Sequence, residues 1–239
     1  MHVAHVAGPR NDPGVEAELG AVMDGGAVPQ AEQPVDPEDG LAYVVVPVEL
    51  DVAHPTSGMP APGRRALHGK TKQALTATGV GVDHDGGLDH GTWSVVRDMY
   101  PEANIPVLQL SIDYHQPPEY HYALAKELAA LRRRGVLIIG SGFMTHGLPF
   151  LEDFRPEAAP PAWSKEFDLW TAETLANGDV DALVDYKRRA PGVRLAHPTV
   201  DHFVPLFVAL GASLGKKETP DTVIDGYFLG LSKRSVQFE

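Results

Sequence analysis

Three stretches of the chain and an N-terminal pair carry histidine in settings where an imidazole could do chemistry. "HPTVDHFVPL" (197–206) spaces His197 and His202 around Asp201, where an apolar helical run begins. "GSGFMTHGL" (140–148) puts His146 directly after an apolar run, and "GLDHGTW" (87–93) sets Asp89 and His90 between glycines. The N-terminal part adds His5 in "VAHVAGP" and His54 in "DVAHPTSG". Imidazole is the commonest nitrogen ligand for metals and the side chain whose proton exchanges nearest neutral pH. With 11 histidines and no cysteine, any metal would rest on histidine and carboxylate, and disulfides and thiolate nucleophiles are excluded. Each stretch also has a local reading, since a histidine in a glycine-rich turn can serve by bonding the backbone. His197, ahead of a proline, reads as a loop residue. His68, His84, His115 and His121 read as surface residues, with His121 on the solvated side of a helix. There is no H-E-x-x-H, CxxC or Walker A pattern, and no G-x-G-x-x-G after a strand. Pattern alone reaches a histidine–metal site at a sheet edge and no further.

The elements that must position these residues follow from periodicity. "LAYVVVPVEL" (41–50) is a β-branched run that reads as a buried strand interrupted by Pro47. "HPTSGMPAPG" (54–63) is loop, and 64–79 reads as a helix closing at Gly79. "IPVLQLSI" (105–112) and "GVLIIGSG" (135–142) are the clearest strands. Between them the spacing predicts a helix over 117–134, with proline at its entry, Leu124, Leu128 and Leu131 along it, basic residues in its last turn and Gly135 closing it. Strand, helix, strand is a βαβ unit, so part of the sheet is expected to be parallel. His146 then follows the C-terminal end of a strand, where ligand crevices form in open α/β sheets.

Further helices are expected over Trp163–Asn177, Val180–Arg189 and 199–215, the last with Phe203, Leu206, Phe207 and Leu210 on one face. Taking Asp201 as its N-cap puts Pro205 at the fourth helical position, where a missing N–H has no partner to lose, and leaves His202 exposed. The tail 222–238 has hairpin character, whereas residues 1–40, rich in Gly, Pro and acid, carry no clear periodicity. The expected fold is a single α/β domain over 1–239, with a central mixed, partly parallel β-sheet flanked by helices.

At 239 residues the chain is long enough to bury a sizeable core, and 43% hydrophobic with 22% charged residues is an ordinary soluble composition. A net charge of −12, from 32 acidic against 20 basic residues, repels phosphate backbones and anionic lipid. Nucleic acid and membrane are therefore not expected partners. The N-terminus shows no basic segment followed by an apolar one, and no apolar run nears the roughly 20 residues of a spanning helix. The expected location is cytoplasmic.

"GLDHGTW", "MYPEANIPVLQLSID", "GVLIIGSGFMTHGL", "HPTVDHFVPLFVALGA" and "DGYFLGLSKRSVQF" follow one another in an order and spacing that resembles the class III extradiol ring-cleavage dioxygenases. The likeness is to the branch that includes 4,5-DOPA dioxygenase, and it covers about residues 60–239. It implies a non-haem metal, Fe(II) in active enzymes and sometimes zinc as isolated, on three side-chain ligands at one end of an α/β sheet. By resemblance His202, in a "DHF" triplet, is the third ligand. His146, in a "THG" turn, is the acid–base residue, and His90 lines the substrate pocket with Asp89 beside it. Residues 1–60 are atypical. The family begins with a "SHGSP"-like ligand loop and later presents a "SAHW"-like stretch, and neither is present. "VAHVAGP" stands for the first and makes His5 a metal candidate, and "DVAHPTSG" stands for the second and makes His54 another. The stretch from His54 to "APG" (61–63) is shorter than the family pattern, which implies a deleted or replaced segment.

The reaction implied is oxidative opening of a catechol ring by O₂, beside rather than between the hydroxyls. Three neutral imidazoles would leave the charge of the iron uncancelled and so favour a bound catecholate. Two other classes stay open. One is a catalytically impaired or non-enzymatic relative with an incomplete metal site. The other is a zinc-dependent hydrolase that uses the same histidines without O₂.

Overall fold

Seven residues in a row, Val136–Gly142, are buried, and this run is the strand from which the site extends. The computed structural model describes residues 2–6, 42–46, 71–75, 90–102, 105–113, 115–213 and 219–238. His54, His68, His84 and Asp89 lie outside them, as does most of the helix expected over 64–79, of which 71–74 is helical. The strands are β1 (His2–Val6), β2 (Ala42–Val46), β3 (Val107–Gln109), β4 (Val136–Gly142), β5 (Asp221–Ile224), β6 (Tyr227–Phe228), β7 (Leu231–Ser232) and β8 (Ser235–Phe238). Six of them form one sheet in the order β3-β2-β4-β1-β8-β5, and β6 and β7 pair as a separate hairpin.

The sheet is mixed. β2 runs parallel to both β3 and β4, β1 is antiparallel to β4 but parallel to β8, and β5 is antiparallel to β8. The expected βαβ unit is present with β2 inserted between its two strands. β2 falls within the β-branched run expected over 41–50.

The helices are α1 (His90–Met99), α2 (Pro118–Arg132), α3 (Ala162–Ala176), α4 (Val180–Val184), α5 (Tyr186–Arg189), α6 (Val193–Ala196) and α7 (Val204–Gly211). α2 matches its sequence pattern, with Pro118 in its first turn and Gly135 at φ 76° after its end. Leu128 and Leu131 on this helix are fully buried, and each such side chain contributes about 2 kcal/mol. α2 packs on α7, which packs in turn on β4. The helix expected over 180–189 divides at Asp185, whose carboxylate pairs with Arg188 and Arg189.

Two expectations are corrected. His121 is buried, not solvated. It shares the inner stripe of α2 with Ala125 and Leu128, at the i, i+4, i+7 spacing of one helix face. Its Nε2 accepts the Asp113 N–H at 3.3 Å and its Nδ1 lies 3.2 Å from the Pro117 carbonyl, so both ring nitrogens face the segment that leads into the helix.

The last helix also begins later than expected. Phe203, not Asp201, occupies the N-cap position, and Pro205 falls within the first two helical positions. A proline is still tolerated there, because the first-turn N–H groups have no intrahelical partner. Before α7 the chain makes one extra turn, in which the Val200 carbonyl accepts from the N–H groups of Phe203 and Val204, each at 3.1 Å. That turn carries Asp201 and His202 inward, and His202 is 7% exposed rather than open to solvent.

Candidate functional site

Beyond Gly142 the chain leaves β4 as a short loop, Phe143 to Gly147, and two contacts latch it to the end of α6 and the residue that follows. The His146 N–H donates to the Ala196 carbonyl at 2.8 Å, and Nε2 of His197 lies 2.9 Å from the Met144 carbonyl. On the other side, the turn before α7 comes so near β4 that a Cβ at position 142 would collide with the His202 carbonyl oxygen. Glycine is therefore required at this position for close approach. These constraints bring His146 and His202 together, with ring centroids 3.4 Å apart and planes within 24°. Phe143 flanks both, its ring 5.6 Å from that of His146 and 5.8 Å from that of His202.

The electrostatics of this pair favour neutral rings. Burial, with His146 and His197 as like-charged neighbours, pushes His202 down to about 2. Burial also lowers His146, against the opposing pull of Asp201. The Asp201 carboxylate stands 3.6 Å from Nε2 of His202, beyond hydrogen-bonding distance, and a neutral ring forms no ion pair with it. Both ring nitrogens of His202 and Oδ1 of Asp201 are buried with no hydrogen-bond partner among the described residues. A neutral imidazole with unengaged nitrogens, beside an unengaged carboxylate oxygen, fits a divalent cation: it offers the lone pair that a metal accepts.

His197 sits deeper, edge-on to Phe167 with ring centroids 4.9 Å apart, and burial holds it down to about 4. An unfolded histidine has its ordinary value near 6.5, so below that pH the unfolded chain binds a proton that the folded chain refuses. The stabilisation is therefore complete above about pH 6.5 and is lost as pH falls toward 4, by about 2 kcal/mol at pH 5. Urea denaturation at pH 7 and pH 5 should show this drop, with His197→Asn making the dependence shallower. An unchanged pH slope in the variant would contradict the assignment.

The other sequence candidates fall as follows. His90 is the first residue of α1, and the start of α1 is tied to this end of the sheet. Ser141 Oγ donates to the Gly91 carbonyl at 3.0 Å, and Thr92 Oγ1 donates to Gln109 Oε1 at 3.1 Å. His5 lies within β1, paired with Ile139. The antiparallel register sets His2, not His5, opposite Gly142. Among the described residues no three His, Asp or Glu side chains form a ready metal cluster.

A small cavity of about 20 Å³ lies beside His202, lined by Gly142, Phe143, Met144, Pro205, Leu206 and Arg234 among others. Arg234 was not singled out from the sequence, nor was Asp168 on α3, with which it makes a buried bidentate pair at 2.8 and 2.9 Å. A signal for Asp168 was present: Ser164, Phe167, Asp168, Thr171 and Leu175 repeat at helical spacing, so polar residues stand in an inward-facing stripe.

A family model described as the catalytic LigB subunit of aromatic ring-opening dioxygenase matches residues 49–232. A 4,5-DOPA dioxygenase extradiol from Beta vulgaris is 43% identical over 159 residues, covering 64% of this chain and 58% of that protein. One from Escherichia coli K12 is 36% identical over 184 residues, covering 74% of this chain and 66% of that protein. The chain thus spans less than two thirds of either relative. The crystal structure of the uncharacterized protein JW3007 from Escherichia coli K12 is similar over 99% of both chains, with a TM-score of 0.74 and 28% identity.

Proposed function

Because this chain belongs to the LigB family of aromatic ring-opening dioxygenases, we propose that it opens a catechol ring with O₂ beside, rather than between, the two hydroxyls. The observation that carries this reading is the contact of His146 with His202, whose own ring nitrogens are buried and unengaged. Two loops converge to make that contact beyond the end of β4, a strand buried along its whole length.

In this reading His202 is a metal ligand, with His5 and His54 as the family-derived candidates to join it. The metal is Fe(II), with zinc a substitute in isolated protein. Fe(II), when bound, supplies open positions for both catechol oxygens and for O₂. The rest is done by the chain. His146, kept neutral by burial, takes a proton from a catechol hydroxyl and later returns it. His90 hydrogen-bonds a substrate oxygen, with Asp89 shaping its loop. Phe143 and Met144 give the space beside His202 apolar walls. The acidic surface fits a small-molecule substrate better than nucleic acid or anionic lipid.

The reading is tested by loading the protein anaerobically with Fe(II), adding a catechol and admitting air. A yellow ring-opened semialdehyde is the expected product. Failure to retain metal would identify a relative with an incomplete site. Hydrolysis of an ester or amide without O₂ uptake would identify the hydrolase.

A further inference from the structure

Behind the His146 loop lies a polar network that burial alone does not explain. Asp168, 1% exposed, has all four acceptor positions engaged. Its Oδ1 takes Ser232 Oγ at 2.6 Å and Arg234 Nε at 2.8 Å, and its Oδ2 takes Arg234 Nη2 at 2.9 Å and the Tyr227 hydroxyl at 3.3 Å. A buried ion pair is weak evidence for stability, because apolar residues of the same volume often serve as well. Its use is better sought in what it holds.

The connections run to the residue before His146. The Ser232 N–H donates to Thr145 Oγ1 at 2.8 Å, and the same oxygen lies 3.0 Å from Ser164 Oγ. Ser164 stands one turn before Asp168 on α3, so both ends of this connection rest on one helix. Thr145 is fully buried between α3 and β7. On its other side, the His146 N–H is held by the Ala196 carbonyl. The backbone of His146 is therefore gripped before and at the histidine itself. Arg234, at the far end of the network, lines the same cavity as His202.

We propose that Thr145, held by Ser232 and Ser164 and backed by Asp168, is a positioning residue for His146, an inference that rests on the proton-transfer role given to that histidine. Thr145 touches no substrate in this account. It sets the direction of the imidazole, and an ångström of misplacement at a reacting group costs roughly a hundredfold in rate.

Thr145→Val keeps the branched shape and removes the hydroxyl, whereas Thr145→Ser keeps the hydroxyl. In the full-length Fe(II)-loaded protein with catechol, Thr145→Val is expected to lower kcat about tenfold or more with KM within about twofold, and Thr145→Ser to recover most of that loss. In the metal-free protein at fixed pH, the His146 ring signals in a ¹H–¹⁵N spectrum should shift in the valine variant and stay in place in the serine variant. The proposal is overturned if folded Thr145→Val keeps both wild-type kcat and wild-type His146 signals, or if the serine variant is as impaired as the valine variant. Should Thr145→Val not fold, Ser164→Ala removes one of the same partners and is read by the same two measurements. If wild-type protein opens no catechol, the dioxygenase reading fails, while the ring signals still decide whether Thr145 orients His146.

Discussion

His202→Ala is expected to lower ring opening by at least about a hundredfold and to remove bound metal with it, since even groups behind the ligands cost 10–100-fold when lost. The reason lies in the ring itself. It is buried, held neutral, and among the described residues makes no hydrogen bond through either nitrogen. Leaving a buried polar group unsatisfied costs about 1–3 kcal/mol, and truncating a buried side chain costs a similar amount through the void it leaves. The two oppose each other, so metal-free His202→Ala should melt within a few degrees of metal-free wild type. The variant should differ only when metal is added, which stabilises the wild type and not the variant. A variant that kept stoichiometric iron, or that was badly destabilised without metal, would show the ring to be a packing element.

His146→Ala is expected to fall by about 10²–10⁴ in kcat while retaining metal, the range for removing a positioned acid–base group. This ring stacks on His202, and its backbone belongs to a different loop. Burial lowers its pKa while Asp201 opposes the shift, which suits a base that must be unprotonated before substrate arrives and protonated afterwards. Metal analysis of the variant together with its turnover separates the two roles. Iron lost along with activity would make His146 a ligand rather than the base.

Much of this arrangement was legible because local patterns and tertiary structure agree. The β4 run and the helix 117–134 declared themselves by apolar content, proline entry and glycine exit, and the structure keeps both. A histidine just past β4 was then at a strand end by arithmetic alone. What could not be read locally was the extra turn before α7. Asp201 has the chemistry of an N-cap, and only the pairing of two N–H groups with the Val200 carbonyl shows the helix starting later and His202 facing inward. His121 was misjudged for a related reason, since a polar side chain on an apolar stripe is legible only when something receives its nitrogens, here the chain at Asp113 and Pro117. The Asp168–Arg234 pair joins residues far apart in sequence, and no local pattern announces such a partner. Of the N-terminal candidates, His54 lies outside the described residues, and His5 stands within β1, where the register against β4 puts His2 opposite Gly142, a matter of strand direction that no periodicity encodes.

The most direct test is to run the Fe(II)-loaded protein with a catechol under ¹⁸O₂ and weigh the product. A ring opened beside the hydroxyls takes up both atoms of O₂, so the expected product is a single six-carbon hydroxy-semialdehyde carrying two labelled oxygens, formed with one O₂ consumed per ring. A dicarboxylic acid from cleavage between the hydroxyls, a product without label, or turnover that proceeds with O₂ unconsumed would contradict the account.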